Sequence, residues 1–536
     1  MQDLMMKDQL NIRMIMQHAE EIAGNVEIVS VLGTGQRHRY TYAAAFARAR
    51  QLANALDRLE ISPGARVATL AWNDYRHFEL YYALPCSGRV CHTINPRLFA
   101  EQVAFIINDA ADEAIFVDPQ FVPLLETLHE QLSGVRHIVV LCAEAELPGS
   151  TLLELKSYEA LLAAQTPHYD WPEVEERTPS GLCYTSGTTG NPKGVLYSHR
   201  STVLHSLAGN LADAVGLRAS DSVLPIVPMF HVNAWGMPYN AAMVGAKLVL
   251  PGPKAGDGAT LASLINDEGV SFALGVPTVW LALTTYLEKT GESIPSLTRA
   301  VSGGSACPLA LIETMQRHGV ALEVGWGMTE TSPLGSYNRE QPWYAQLDER
   351  ARGEQRVKAG RQMFGVRMRL VDEQGAELPR DGKSAGALQV RGPWVCSGYF
   401  GKEPGGEWFD TGDVAMLDAQ GYMQITDRTK DVIKSGGEWI SSIDIENAVM
   451  AHPAVAEAAV IGLAHPRWGE RPLMVVVARP GHAPQSAELI GFLEGKVAKW
   501  WLPDACELVE ELPHTATGKV SKKDLRERFA DYQWPN

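Results

Sequence analysis

Apolar residues in this chain alternate between two textures. Short β-branched runs occur at Arg66–Trp72, Ala114–Asp118, His137–Cys142, Ser222–Val227, Lys247–Leu250 and Ser271–Val276. Between several of them, apolar positions recur at helical spacing, as in Tyr42–Leu59 and Leu261–Glu268. A strand buried on both faces is a continuous apolar run, whereas an amphipathic helix repeats its apolar residues three and four apart. The alternation predicts an α/β fold with largely parallel sheets. From Gly365 to Gln424 short strands and turns take over (G-V-R-M-R-L-V-D, A-L-Q-V-R-G, G-Y-M-Q-I-T-D), predicting a compact β-rich subdomain.

A separate α/β rhythm follows Asp427-Arg428-Thr429-Lys430-Asp431. Ile443–Met450 and Ser486–Lys499 are expected to be helical, and Glu457–Ile461 and Leu473–Ala478 to be strands. The charged junction lacks bulky apolar residues, as linkers and hinges do. The expected division is an N-terminal domain over 1–427 (365–427 its β-rich part), a hinge at 428–431 and a C-terminal domain over 432–536.

Composition narrows the partners. The 46% hydrophobic and 21% charged residues are ordinary for a globular protein. A formal charge of -16 leaves no basic excess for a nucleic-acid backbone, although a local basic cluster still suffices for ATP. Seven cysteines are scattered without a C-x-x-C pair, which fits reduced thiols in a cytoplasmic protein better than disulfides or a Cys86–Cys91 metal pair. The N-terminal M-Q-D-L-M-M-K-D-Q-L has no apolar signal core, and no apolar window reaches the roughly 18 residues a membrane helix needs. Neither secretion nor a membrane span is expected.

The densest chemistry lies at Tyr184–Gly194, Y-T-S-G-T-T-G-N-P-K-G. Hydroxyls and glycine-exposed backbone N–H groups suit phosphate oxygens, and Lys193 adds a mobile positive charge. A Walker-type loop requires Ser or Thr after the lysine and a helix opening there. Here Gly194 follows Lys193 and Pro192 precedes it, so the loop is expected to act as a flap over a nucleotide rather than as a helix-capped cradle.

Five further motifs follow in order: Pro228-Met229-Phe230-His231, Gly325-Trp326-Gly327-Met328-Thr329-Glu330, Thr411-Gly412-Asp413, Asp427-Arg428-Thr429-Lys430, and Pro513-His514-Thr515-Ala516-Thr517-Gly518-Lys519. With the Tyr184–Gly194 loop, this collinear set resembles the adenylate-forming superfamily of acyl-CoA synthetases, luciferases and peptide-synthetase adenylation domains, from about residue 40 to the C-terminus. The resemblance implies an α/β fold with a large N-terminal domain (two α/β sheets plus the β-rich subdomain) and a small mobile α+β C-terminal domain. It implies ATP, Mg²⁺ and coenzyme A as reactants and cofactors, a carboxylic acid as substrate, and is compatible with a homodimer.

It also implies roles for individual residues. Thr185, Ser186, Gly187, Thr188, Thr189 and Lys193 would surround phosphates. Gly304, Ser305, Gly325, Trp326, Gly327, Met328 and Ile425 would frame the adenosine, with Trp326 standing where relatives usually carry Tyr. Thr329 would meet the α-phosphate and Glu330 the Mg²⁺. Asp413 would accept the ribose hydroxyls, assisted by Arg428. Lys519 would stabilise charge during adenylation, and Lys430 would be the pivot about which the C-terminal domain then turns. Lys434, Ser435, Gly436, Gly437, Glu438 and Trp439 would next receive coenzyme A.

The acid itself would meet His231, Val232, Trp235, Gly236 and Gly303. Amino-acid-adenylating relatives place an Asp at the position of His231 to pair the substrate ammonium, and an imidazole is no anionic partner. No L-G-G-x-S carrier-protein motif follows the last motif either. The runs H-V-N-A-W-G and K-S-G-G-E-W-I-S-S resemble the branch of medium-chain fatty acyl-CoA synthetases and methylmercaptopropionate ligases. The expectation is an AMP-forming ligase joining a short or medium apolar acid, or a thioether acid, to coenzyme A. The rivals are an adenylating enzyme with another acceptor and a non-catalytic nucleotide- or acyl-binding protein. Acid-dependent ATP–pyrophosphate exchange separates the last from an enzyme.

Overall fold

The computed structural model describes residues 4–152, 154–185, 191–429, 431–435, 438–514 and 520–534, with the side chains of 438 and 439 left aside. Among the described residues three sheets organise the fold. The first has seven strands in the order Lys156–Ser157, His137–Val140, Ala114–Val117, Arg66–Leu70, Val90–Thr93, Pro179–Thr185, Lys193–Ser198. All its neighbours are parallel except the last pair, an antiparallel hairpin with Thr185 opposite Lys193. Lys193 therefore opens a strand and not a helix, as Pro192 and Gly194 imply.

The second sheet has thirteen strands. Its centre is parallel: Ala321–Gly327, Arg299–Ser302, Phe272–Gly275, Ser222–Pro225, Lys247–Leu250 and Glu27–Val31. The Gly365–Gln424 region is not a sheet apart. Through Leu334–Asn338 and the three-residue strand Gly360–Gln362 its antiparallel strands continue the same ladder. Gly360 makes that junction at φ +86°, where a Cβ would stand 2.1 Å from the Tyr337 carbonyl carbon. A strand this short is invisible to pattern reading.

Helices fill the space between the two large sheets. Tyr42–Arg58 is capped by Thr41, whose side chain accepts from the Ala44 N–H, and it buries Tyr42, Ala45, Phe46, Ala49, Leu52, Ala53 and Leu56 at helical spacing. These pack with Phe78, Tyr81 and Tyr82 of helix Tyr75–Cys86 into one core. Fully burying each such aromatic contributes about 1.5–3 kcal/mol relative to exposure, so this core ties the two sheets to one geometry.

The third sheet carries Glu438–Ile440, Ile433–Ser435, Gly469–Ala478 and Val455–His465, with Ala505–Val509 added parallel to Gly469–Ala478. One expected helix is cut short: Ser486–Phe492 ends well before Lys499, because Gly495 takes φ +73° and Lys499–Trp501 forms a separate 3₁₀ turn. The expected linker is also more tightly held than its charge suggests. Strand Tyr422–Arg428 runs through its first two residues, and Asp427 is buried, accepting from the backbone N–H and hydroxyl of Ser442. Arg526 pairs with Asp431 at 2.6 Å and Lys522 with Glu446 at 2.8 Å, tying the last helix to the same junction. All seven cysteines are free, and among the described residues no helix is long and apolar enough to cross a membrane.

Candidate active site

The chemistry-bearing motifs gather at the carboxyl ends of the parallel strands, where open α/β sheets place their ligands. Ser222–Pro225 leads to Phe230-His231, Arg299–Ser302 to Gly303-Gly304, and Ala321–Gly327 to Thr329-Glu330. Gly327 is required there: a Cβ would stand 2.0 Å from the Pro333 carbonyl oxygen, whose partner is the Met328 N–H.

Glu330 is 5% exposed, and its carboxylate accepts from the Tyr399 hydroxyl at 2.8 Å. Burial raises its pKa above the ordinary carboxylate value, while the Tyr399 bond and Arg428 oppose that rise. Thr329 is placed by its carbonyl, which accepts from Tyr197 at 2.8 Å. The segment Cys396–Phe400 binds this corner to the glycine-threonine hairpin: Cys396 N–H donates to the Glu330 carbonyl and Phe400 N–H to the Gly194 carbonyl, both at 2.8 Å. Exposed Lys193 lies over the Tyr399 ring, its ammonium 4.9 Å from the centroid. Tyr399 thus touches both the candidate metal ligand and the candidate phosphate ligand, and no motif chemistry singled it out.

Among the described residues no group of three or more His, Cys, Asp or Glu side chains is arranged around one ion. A fully protein-held cation has no cage there. A single buried carboxylate such as Glu330 suits Mg²⁺, which keeps water and takes further oxygens from phosphates.

Asp413 is 3% exposed and paired on both oxygens. Oδ2 accepts from Trp326 Nε1 at 2.9 Å and Oδ1 faces Arg428 Nε at 2.9 Å. The register of neighbouring strands puts Asp413 opposite Arg428, and Arg428 also donates to the Thr411 carbonyl at 3.2 Å. These partners fix the orientation of the carboxylate. Trp326 does what a Tyr there would do differently: its N–H anchors the ring to Asp413. Its opposite edge rests on Gly335, where a Cβ would meet Cζ3 at 2.5 Å. Ile425 is half-buried on the adjacent strand, and Ser305 and Gly304 are exposed at the mouth.

The segment after His231 has an unforeseen backbone. Val232, Asn233, Ala234, Trp235 and Gly236 take φ of +47°, +55°, +47°, +54° and +82°. Asn233 and Ala234 have ψ of 39° and 42°, so this is one left-handed helical turn. Each L-residue so placed costs roughly 1–2 kcal/mol, and a β-branched Val is a genuine outlier. The turn lays the Trp235 indole on Gly303: a Cβ there would stand 2.9 Å from Trp235 Cη2 and 3.0 Å from the Gly325 carbonyl oxygen. Gly303 therefore joins the candidate acyl wall to the candidate nucleotide strand. Gly303→Ala pushes the indole and Gly325 apart and is expected to raise the KM for the acid and for ATP together, each about tenfold, read from initial rates.

The remaining expectations divide. Lys434, near Glu373 at 3.4 Å, and Ser435, whose hydroxyl lies 3.2 Å from Arg471 Nη1, sit in the third sheet, and the backbones of Glu438 and Trp439 pair with them. Ser186, Gly187, Thr188, Thr189, Lys430, Gly436, Gly437 and Lys519 lie outside the described residues. His514 and Val520, which flank 515–519, form an antiparallel bridge.

The family model described as AMP-binding enzyme matches residues 17–400, and the model of the AMP-binding enzyme C-terminal domain matches residues 444–519. The chain is 48% identical to a medium-chain-fatty-acid–CoA ligase of Ectopseudomonas oleovorans, over 98% of this chain and 97% of that protein. It is also 48% identical to a 3-methylmercaptopropionyl-CoA ligase of Ruegeria lacuscaerulensis, over 98% of each. Among solved structures it resembles the anthranilate CoA ligase AuaEII in complex with anthranoyl-AMP, with a TM-score of 0.86, 25% identity and 97% of each chain covered.

Proposed function

The chain belongs to the AMP-binding enzyme family, and on that premise we propose that it is an ATP-dependent acyl-CoA ligase for short or medium apolar carboxylic acids. The observation that carries the ligase reading is near-full-length 48% identity to two CoA ligases named for apolar acids; a long-chain-fatty-acid–CoA ligase of Thermus thermophilus is equally similar, so the limit on chain length rests on the bulk of Trp235 rather than on these identities. The Trp235–Gly303 contact adds an apolar wall beside the nucleotide strand. A methylthio group is close in size and polarity to a short alkyl chain, so fatty and thioether acids stand as alternatives for one mechanism.

In that mechanism the acid carboxylate attacks the α-phosphorus of ATP and pyrophosphate leaves; coenzyme A thiol then displaces AMP from the acyl-adenylate. Thr329 donates toward the α-phosphate, Lys193 meets the departing phosphates, and Asp413 and Arg428 hold the ribose while Trp326 supplies an adenine-facing ring. Mg²⁺ at Glu330 would neutralise phosphate charge. Lys519 assists the first step only, and turning about Lys430 brings Lys434–Trp439 to the site for the second. We place the enzyme in the cytoplasm, whose reducing environment suits its free thiols; a homodimer is a further proposal that light scattering tests.

The test is AMP release with straight-chain, thioether, aromatic and amino acids, with and without coenzyme A. Straight-chain and thioether acids are expected to support coenzyme-A-dependent release, and amino acids are not. If no acid supports ATP–pyrophosphate exchange, the enzyme reading fails. If exchange occurs but AMP release ignores coenzyme A, the acceptor is wrong.

A further inference from the structure

The left-handed turn Val232–Gly236 contains no glycine until its last residue, and of the other four only Asn233 tolerates this region readily, so local preference does not explain why Val232, Ala234 and Trp235 join it. Strained backbone persists only where its surroundings over-determine it. Those surroundings come from the chain just after a strand of the seven-stranded sheet. Asn73, 2% exposed, donates from Nδ2 to the carbonyls of Pro225 at 3.0 Å and Val227 at 2.8 Å. Its Oδ1 accepts from the Met229 N–H at 2.6 Å. One buried amide thus fixes three backbone groups on the approach to the turn.

Tyr81, fully buried on helix Tyr75–Cys86, finishes the work. Its hydroxyl donates to the Met229 carbonyl and lies 3.2 Å from Asn233 Oδ1, inside the turn itself. The Pro228 carbonyl, just before Met229, receives both the His231 N–H at 3.1 Å and the Ala234 N–H at 3.2 Å. The approach is thereby pinned at Pro225, Val227 and Met229, and the turn is pinned at Asn233.

We propose that Asn73 and Tyr81 are positioning residues for the acid substrate: they hold residues 232–236 in the left-handed turn and so decide where His231 and Trp235 stand. The inference rests on the ligase reading for its substrate, but not for its geometry. Neither residue touches the reacting atoms. Both act from the first sheet on a segment of the second, so the acyl wall is set by the way the two sheets pack.

Tyr81→Phe removes the hydroxyl and little else. It is expected to raise the acid KM about tenfold, the scale of one lost buried hydrogen bond, with the KM for ATP and for coenzyme A unchanged. Glycine adopts the left-handed region without penalty, so Tyr81→Phe/Ala234→Gly, measured against Ala234→Gly as its own reference, recovers most of the acid KM lost in Tyr81→Phe. A tyrosine needed only for packing would not be repaired by relieving backbone strain in the turn. Hydrogen exchange of amides 229–236 supplies a second readout: faster in Tyr81→Phe, restored in the double variant. An unchanged acid KM, an equal rise for all three substrates, or no rescue by glycine overturns the proposal. If no acid supports coenzyme-A-dependent AMP release by the wild-type protein, the ligase reading falls, and hydrogen exchange alone still decides the clamp.

Discussion

Lys519→Ala is expected to lower acid-dependent ATP–pyrophosphate exchange by roughly 10²–10³-fold, the usual cost of removing one group that stabilises transition-state charge. Thioester formation from supplied acyl-adenylate should survive nearly intact. The two half-reactions differ in where charge develops. Attack on the α-phosphorus concentrates negative charge between phosphate and carboxylate, whereas thiol attack on the acyl-adenylate expels AMP as an already good leaving group. A lysine carried on the C-terminal domain serves the first and has withdrawn for the second if one site performs both by rotation. Measuring the half-reactions separately decides the matter. Equal loss in both would remove Lys519 from its assigned step and leave a general binding role.

Glu330→Gln should lower adenylation by a similar factor of about 10²–10³, because a neutral amide is a poor Mg²⁺ ligand and phosphate charge goes uncompensated. The wild-type acid limb carries the finer test. Burial raises the Glu330 pKa, so the carboxylate takes up its proton at higher pH than an exposed glutamate does, and metal-dependent exchange fades correspondingly early as pH falls. The Tyr399 hydroxyl, 2.8 Å away, stabilises the ionised form and opposes that rise. Tyr399→Phe removes the opposition, so the folded-state pKa climbs further and the acid limb moves to higher pH. A limb that stays in place, or moves to lower pH, would show that Glu330 does not govern it. Added Mg²⁺ should shift the limb back, since metal and proton compete for the same oxygens.

Several elements were legible because their causes are local. The strand Lys247–Leu250 and the helix Tyr42–Arg58 follow from runs and spacings within one segment. Motif residues were legible for the same reason: glycines where backbone must approach a ligand, hydroxyls and one lysine beside them. Where local signals compete, reading faltered. Helix Ser486–Phe492 stops early because a glycine offers a left-handed exit that apolar spacing does not register. The strand Gly360–Gln362 is too short to have a period, yet it fuses the β-rich region to the second sheet.

The site itself divides along the same line. Trp326, Asp413, Arg428, Glu330, His231 and Trp235 are named by the sequence, and so is the class of chemistry they serve, because reaction type constrains residue type within a short motif. Their partners are not. Tyr399 reaches Glu330 from 69 positions away and Tyr81 reaches Met229 from 148. Sequence alone was enough to point to an α/β protein of the adenylate-forming kind and to name most of its candidate site residues. The packing of the two large sheets decided how buried Glu330 is and that Val232–Gly236 winds left-handed, while strand register within the second sheet decided which atoms orient Asp413. A left-handed turn of L-residues is locally unfavourable, so no local pattern can announce it; long-range bonds must impose it.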